Sequence, residues 1–213
     1  MEAATIKQFD VDVTSRSPGY NLPQKAGIRL WLPMLVMALM AFPAAVILGI
    51  VRADEISTGG SAETIETLRQ VQSGVMMVAF ASVFAAISFA IARILGQFRR
   101  GGGDLQAASG RRVVTLRMPA TAKVFLATMM MAMMTLLGAA VLHFVFAADV
   151  SGTASSLELS EERFTVLEGV QRLGIGMYLA AITLGLATIA QVLRFQANRV
   201  RELTAEEVRP QAI

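Results

Sequence analysis

The sequence predicts an all-α, polytopic membrane protein: four transmembrane helices in two tandem-duplicated hairpins of the same orientation, with both termini cytoplasmic. Three observations predict it. The 213 residues are 54% hydrophobic and 16% charged, with a mean hydropathy of +0.57, and the apolar residues gather in four blocks. Those blocks, 30–51, 75–95, 124–148 and 175–193, each approach the ~20 residues a helix needs to cross a hydrocarbon core. The first half of the chain then recurs in the second. Finally, the charges are segregated by loop.

The recurrence is specific. Ala44-Ala45-Val46-Ile47 followed by Ala53-Asp54 returns as Ala139-Ala140-Val141-Leu142 and Ala148-Asp149, at an offset of 95. Six of 21 positions from Met34 to Asp54 are identical to their counterparts. After a loop four residues longer in the second copy, the offset becomes 99, and Ser61, Glu63, Leu68, Val71 and Gln72 match Ser160, Glu162, Leu167, Val170 and Gln171. The polar spacing of this second stretch carries more weight than the apolar identities, because membrane helices draw on a small alphabet.

Of 19 Lys and Arg, only Arg52, Arg69, Arg163 and Arg172 lie in the loops after the first and third blocks, which hold nine of the sixteen acidic residues. The positive-inside rule therefore places both termini and the central linker in the cytoplasm and the two acidic loops outside. The pI near 9.8 reflects this topology, so no nucleic-acid partner is expected. Cysteine is absent, which removes disulfides, thiolate metal sites and cysteine nucleophiles. No cleaved signal peptide is expected ahead of the long first block. The location read from these signals is a cell membrane, with a bacterial cytoplasmic membrane as the natural setting.

Taken in order, residues 1–27 read as a cytoplasmic arm without regular structure, rich in turn formers around Ser17-Pro18-Gly19. The first hairpin covers 28–97, with spans at 30–51 and 75–95. Trp31 sits at interface depth, and Pro43 predicts a bend, matched by Gly138 in the second copy. Ser61 predicts a helix N-cap with Glu63 in the first turn. Segments 61–72 and 160–171 read as short outer amphipathic helices leading into the next span. Residues 98–120 form a basic, Gly-rich linker, with Arg99-Arg100-Gly101-Gly102-Gly103 matching no phosphate-loop pattern. The second hairpin covers 121–195, with spans at 124–148 and 175–193. A charged C-terminal tail occupies 196–213, helical to about Glu207.

Small residues at near-helical spacing predict helix contacts: Ala41, Ala45 and Gly49 in the first span; Ala81, Ala85 and Ser88 in the second; Gly176, Ala180 or Ala181, and Gly185 in the fourth. Met129, Met130, Met131, Met133 and Met134 are too nearly consecutive to converge on one soft metal, so they read as adaptable packing.

Little in the sequence suggests catalysis. No Ser-His-Asp set, buried carboxylate pair or metal-binding histidine motif is present. His143 is the only histidine. As an intramembrane ionisable group it is the one candidate cofactor ligand, although the plainer reading is an interfacial histidine bonded to a backbone carbonyl or water. Asp54 and Asp149 are the repeat-related acidic pair. They would hold a hard cation if a pseudo-two-fold axis brought them together, and otherwise each begins a solvated loop. Neither metal nor cofactor is expected. The function expected is a non-catalytic membrane subunit that scaffolds, anchors or regulates a larger complex. Its partners would be the lipid bilayer and other membrane proteins, or further copies of itself. An oligomeric transporter or channel is the alternative, and a haem or redox anchor using His143 is the third.

Overall fold

The computed structural model describes residues 9–14, 16, 18–110 and 112–207. The extreme termini and Arg111 lie outside the described residues. Four long helices dominate: α1 (Leu22–Thr58), α2 (Ala62–Ala108), α3 (Ala120–Asp149) and α4 (Ala154–Glu207). Each contains a stretch long and apolar enough to cross a membrane.

The helices outrun the apolar blocks. The 47 residues of α2 give a rod of about 70 Å against a hydrocarbon core of ~30 Å, so its ends stand clear of the apolar zone. The outer segments 61–72 and 160–171 are not separate helices; they are continuous with α2 and α4. Nothing interrupts the backbone ladder between segment and span, so one rod forms.

The α1–α2 turn needs only Gly59, Gly60 and Ser61. Gly59 ends α1 in the left-handed region at φ +77°, a conformation glycine adopts without Cβ strain. Ser61 caps α2, its side chain accepting from the Thr64 amide at 3.1 Å. At the other end of α1, Asn21 and Gln24 form a capping box. Pro33 and Pro43 both lie within the continuous α1.

Two features of the linker and arm differ from the sequence reading. Gly101-Gly102-Gly103 continue α2 rather than ending it. Gly102 lies beneath the Arg199 and Gln196 side chains, which would collide with a Cβ there, so packing overrides poor helix propensity. The arm is not irregular throughout. β1 (Val11–Thr14) pairs antiparallel with β2 (Val113–Leu116), in register Val11 to Leu116 and Thr14 to Val113. β-branched residues on both segments favour this ribbon. Arg117 ties its end, reaching Asp12 at 2.7 Å and Asp10 at 3.2 Å. The hydrogen bond it donates to Asp12 and the charges of both carboxylates hold the Arg117 guanidinium above its ordinary pKa.

α2 is the central helix. α1 runs antiparallel to it, with Gly27 against Phe89–Arg93 at one end and Gly49 against Gln72 at the other. α3 and α4 form the second antiparallel pair, Leu136 lying over Gly174 and Thr121 hydrogen-bonded to Gln191. α2 and α4 run parallel, with Gln70 against Ser160, the Phe84 ring stacked on Tyr178 and Gln196 against Phe98. Beyond isolated contacts, α1 packs against neither α3 nor α4. The ribbon, the α2–α3 linker and the end of α4 therefore gather at one end of the bundle, and the α1–α2 and α3–α4 turns at the other.

Candidate functional site

Where Gln70 of α2, His143 of α3 and Ser160 of α4 meet, the turn end is closed by a buried polar network. The His143 Nδ1 and Gln70 Oε1 atoms are 2.7 Å apart, and both residues are fully enclosed. The Gln70 amide nitrogen donates to the Ser160 hydroxyl at 3.0 Å and to its carbonyl at 3.3 Å. The Ser160 hydroxyl in turn donates to Glu66 at 2.7 Å. Arg69 completes the ion pair with Glu66 at 2.9 Å and lays its guanidinium 4.2 Å from the Phe164 ring centre. Phe164 also meets the His143 ring edge to face at 5.7 Å.

The sequence reading found His143 but not its setting. Its Nδ1 meets a side chain of another helix rather than a backbone carbonyl. That partner, Gln70, lies 73 residues away in the chain, and Phe164 comes from a third helix. Ser160 was legible as the counterpart of N-cap Ser61, yet α4 begins six residues earlier. There Thr153 receives the Ser156 amide at 3.4 Å, and Ser160 is free to join the network. Chemically the network is a latch. Gln70 is its hub, joining the His143 Nδ1 to Ser160 and so tying α2, α3 and α4 together.

The acidic pair is placed differently. Asp54 and Asp149 are both exposed. The Asp149 carboxylate pairs with Arg163 at 3.5 Å, and the Asp54 carbonyl accepts from the Ser57 and Thr58 hydroxyls. Among the described residues no three His, Asp or Glu side chains come together as a metal set. Met129 is buried, while Met130, Met131 and Met134 are exposed.

The small residues divide into two groups. Ala45, Ala81, Ala85, Ser88 and Gly185 are buried. A Cβ on Gly49 would stand 2.7 Å from the Gln72 amide nitrogen, and one on Gly185 3.0 Å from Ile91. Ala41 is half-buried. Gly176 and Ala180, by contrast, face outward, with nothing within 4 Å of a Cβ on Gly176. Tyr178 and Ala181 take the inward positions on that stretch of α4.

Carrying the 99-residue offset along the helices makes this division systematic. Gly74, Met77, Ala81 and Ser88 of α2 are buried; their counterparts Leu173, Gly176, Ala180 and Ala187 of α4 are exposed. The adjoining face is buried in both: Ala79, Ser82 and Ala86 correspond to Tyr178, Ala181 and Gly185. α4 thus carries a bare stripe, Gly176, Ala180, Thr183 and Ala187, at the repeat-equivalent of a face that α2 keeps covered.

At the ribbon end a cavity of about 210 Å³ lies between the start of α1, the start of α3, α2, α4 and β2. Its floor is apolar: Ala92, Leu95, Phe125, Leu126 and Phe195. Its rim carries Arg99, Arg117 and Arg199 against a single carboxylate, Asp12. Arg199 is buried and bonds Gln196 at 3.2 Å and Gln106. Gln106 also accepts the Val114 amide at 2.8 Å, which fixes the ribbon over the cavity. The Arg99 Nε is buried with no hydrogen-bond partner among the described residues.

No family model, curated protein or solved structure matches this chain.

Proposed function

We propose that the chain is a non-catalytic integral membrane subunit that scaffolds, anchors or regulates a larger membrane complex, and that the bare stripe of α4 seats a helix of its partner. The observation that carries this reading is the outward position of Gly176, Ala180, Thr183 and Ala187. In lipid there is no hydrophobic drive between helices, so association depends on close backbone approach, which small residues permit. The buried equivalents in α2 illustrate how such a face serves once covered. The polar network is consistent with the same reading, because Gln70 links α2, α3 and α4 through buried side chains. On this reading the ribbon end, with Lys25, Arg29, Arg100, Arg112 and Lys123, faces the cytoplasm.

The absence of cysteine makes the test direct. Ala180→Cys, carrying a photoactivatable maleimide, would be irradiated in native membranes beside a control at Met134, an exposed position on α3. A discrete heavier adduct from Ala180→Cys and not from Met134→Cys is expected, and its mass spectrum identifies the partner. An adduct at twice the chain mass would move the reading to a homo-oligomeric pore or carrier. Lipid adducts alone from both positions would overturn it.

A further inference from the structure

We propose that the ribbon-end cavity is a binding site for the phosphate headgroup of an anionic phospholipid, drawn from the leaflet at that end of the bundle. The cavity lies in a different part of the molecule from the α4 stripe and is independent of it.

The cavity combines the two halves of an amphiphile. Arg99, Arg117 and Arg199 line it, with Asp12 the one carboxylate among its described lining residues, and Arg199 is bonded to Gln196 and Gln106. Arg117 is largely committed to Asp10 and Asp12. Arg99 is not committed in this way: its Nε is removed from solvent yet has no partner in the described structure. A buried N–H without an acceptor costs free energy, and a guanidinium suits the paired oxygens of a phosphate. Alkyl and aromatic side chains, Ala92, Leu95, Phe125, Leu126 and Phe195, line it too, beside the polar Gln24, Thr115 and Thr188. Basic pockets between transmembrane helices on the cytoplasmic side commonly hold anionic headgroups.

Size and access narrow the ligand. At about 210 Å³ the cavity is smaller than the ~300–1,000 Å³ of a drug-sized pocket. It suits a phosphate ester and the start of its glycerol, while acyl chains must lie elsewhere. The fold provides that route. The cavity is flanked by α1 on one side and α3 on the other, and these helices do not pack together beyond isolated contacts. On this proposal the acyl chains leave between α1 and α3, along α2. Trp31, the only tryptophan, lies two turns beyond the cavity residue Gln24 on α1, about 10 Å along the axis.

Trp31 makes the test possible in the intact chain. The protein would be reconstituted in vesicles of phosphatidylcholine with increasing brominated phosphatidylglycerol, and separately with brominated phosphatidylcholine, and quenching of Trp31 would be followed. Preferential quenching by the anionic lipid is expected. Arg99→Gln should weaken the apparent preference about tenfold, the loss of one charge-assisted hydrogen bond. Ala122→Leu, which narrows the cavity without altering charge, should weaken it too, guarding against a folding defect peculiar to Arg99→Gln. Arg112→Gln, an exposed linker charge, should leave it intact. Equal quenching by the two lipids, or an equal loss in Arg112→Gln, would show only annular lipid or diffuse charge and would overturn the proposal. Suppression of the preference by millimolar inorganic phosphate at constant ionic strength would reassign the site to a soluble phosphate compound and overturn the lipid assignment.

Discussion

α2 and α4 share a sequence pattern near their starts, Ser61 to Gln72 and Ser160 to Gln171, and differ in how the fold covers them. Both follow a repeat-related acidic loop, both carry the Leu-x-x-Val-Gln stretch, and both bury the face on which they meet. On the neighbouring face they part. α2 lies at the centre, with α1 on one flank and α3 on the other, whereas α4 leaves its equivalent surface bare. A complete pseudo-two-fold bundle would match the α2–α3 contact with one between α4 and α1. That contact is not made. The two halves resemble one another in hydropathy, yet aligned positions differ where the helices pack. Leu48 aligns with His143, and Gly49 with Phe144. Gly169 stands on α4 where α2 has Gln70. Each of the second-copy residues His143 and Phe144 is directed at α2, on Gln70 and Gly74 respectively.

The difference can be broken most severely at Gly174, whose counterpart in α2 is Val75. A Cβ on Gly174 would stand 2.6 Å from the side chain of Leu136, which is completely enclosed. Gly174→Val is expected to destabilise the α3–α4 pair by about 1–3 kcal/mol. Reversible unfolding in mixed micelles would measure this, and an unchanged midpoint would contradict the packing described. Next in size is Gln70→Ala, which removes the hub of the network while leaving His143 and Ser160 buried. A loss of about 1–2 kcal/mol is expected in the same assay, whereas Gly169→Gln on the bare face of α4 should change little.

A finer measurement isolates the His143–Gln70 contact. A double-mutant cycle with His143→Leu, the residue aligned with it in the first copy, and Gln70→Leu should return a coupling of about 0.6 kcal/mol and at most about 1.7, the average and maximum for interhelical hydrogen bonds in membranes. A coupling near zero would reduce the network to a coincidence of position. The smallest effect on stability belongs to Ala180→Leu. On a bare face it should shift the isolated chain by less than about 0.5 kcal/mol, yet diminish partner crosslinking from a probe at Gly176→Cys. Its α2 counterpart, Ala81→Leu, is enclosed and should be destabilising instead.

The candidate sites were unevenly legible. The four apolar helices could be read because apolar length is a local property of the sequence. His143 stood out because ionisable groups are rare in such segments, but its partners come from two other helices and leave no mark near it in the chain. Gly176 and Ala180 were legible as a helix-contact pattern, but spacing alone does not say whether the contact lies within the bundle. The cavity was not legible at all. It arises where residues from an arm, a linker and four helices converge.

By itself the sequence determined four apolar rods, their two-by-two recurrence and the polarity of their loops, because each follows from transfer energies and periodicity along a continuous stretch. Tertiary structure alone decided that Gly101–Gly103 would be helical and that the arm would pair with the linker. It also decided that α2 rather than α4 would be enclosed, and that Arg99 would lie at the rim of a cavity. The physical reason is the same in each case. A glycine beneath Arg199, a strand edge awaiting another and a small-residue face awaiting a helix have no fixed state until a distant part of the chain arrives.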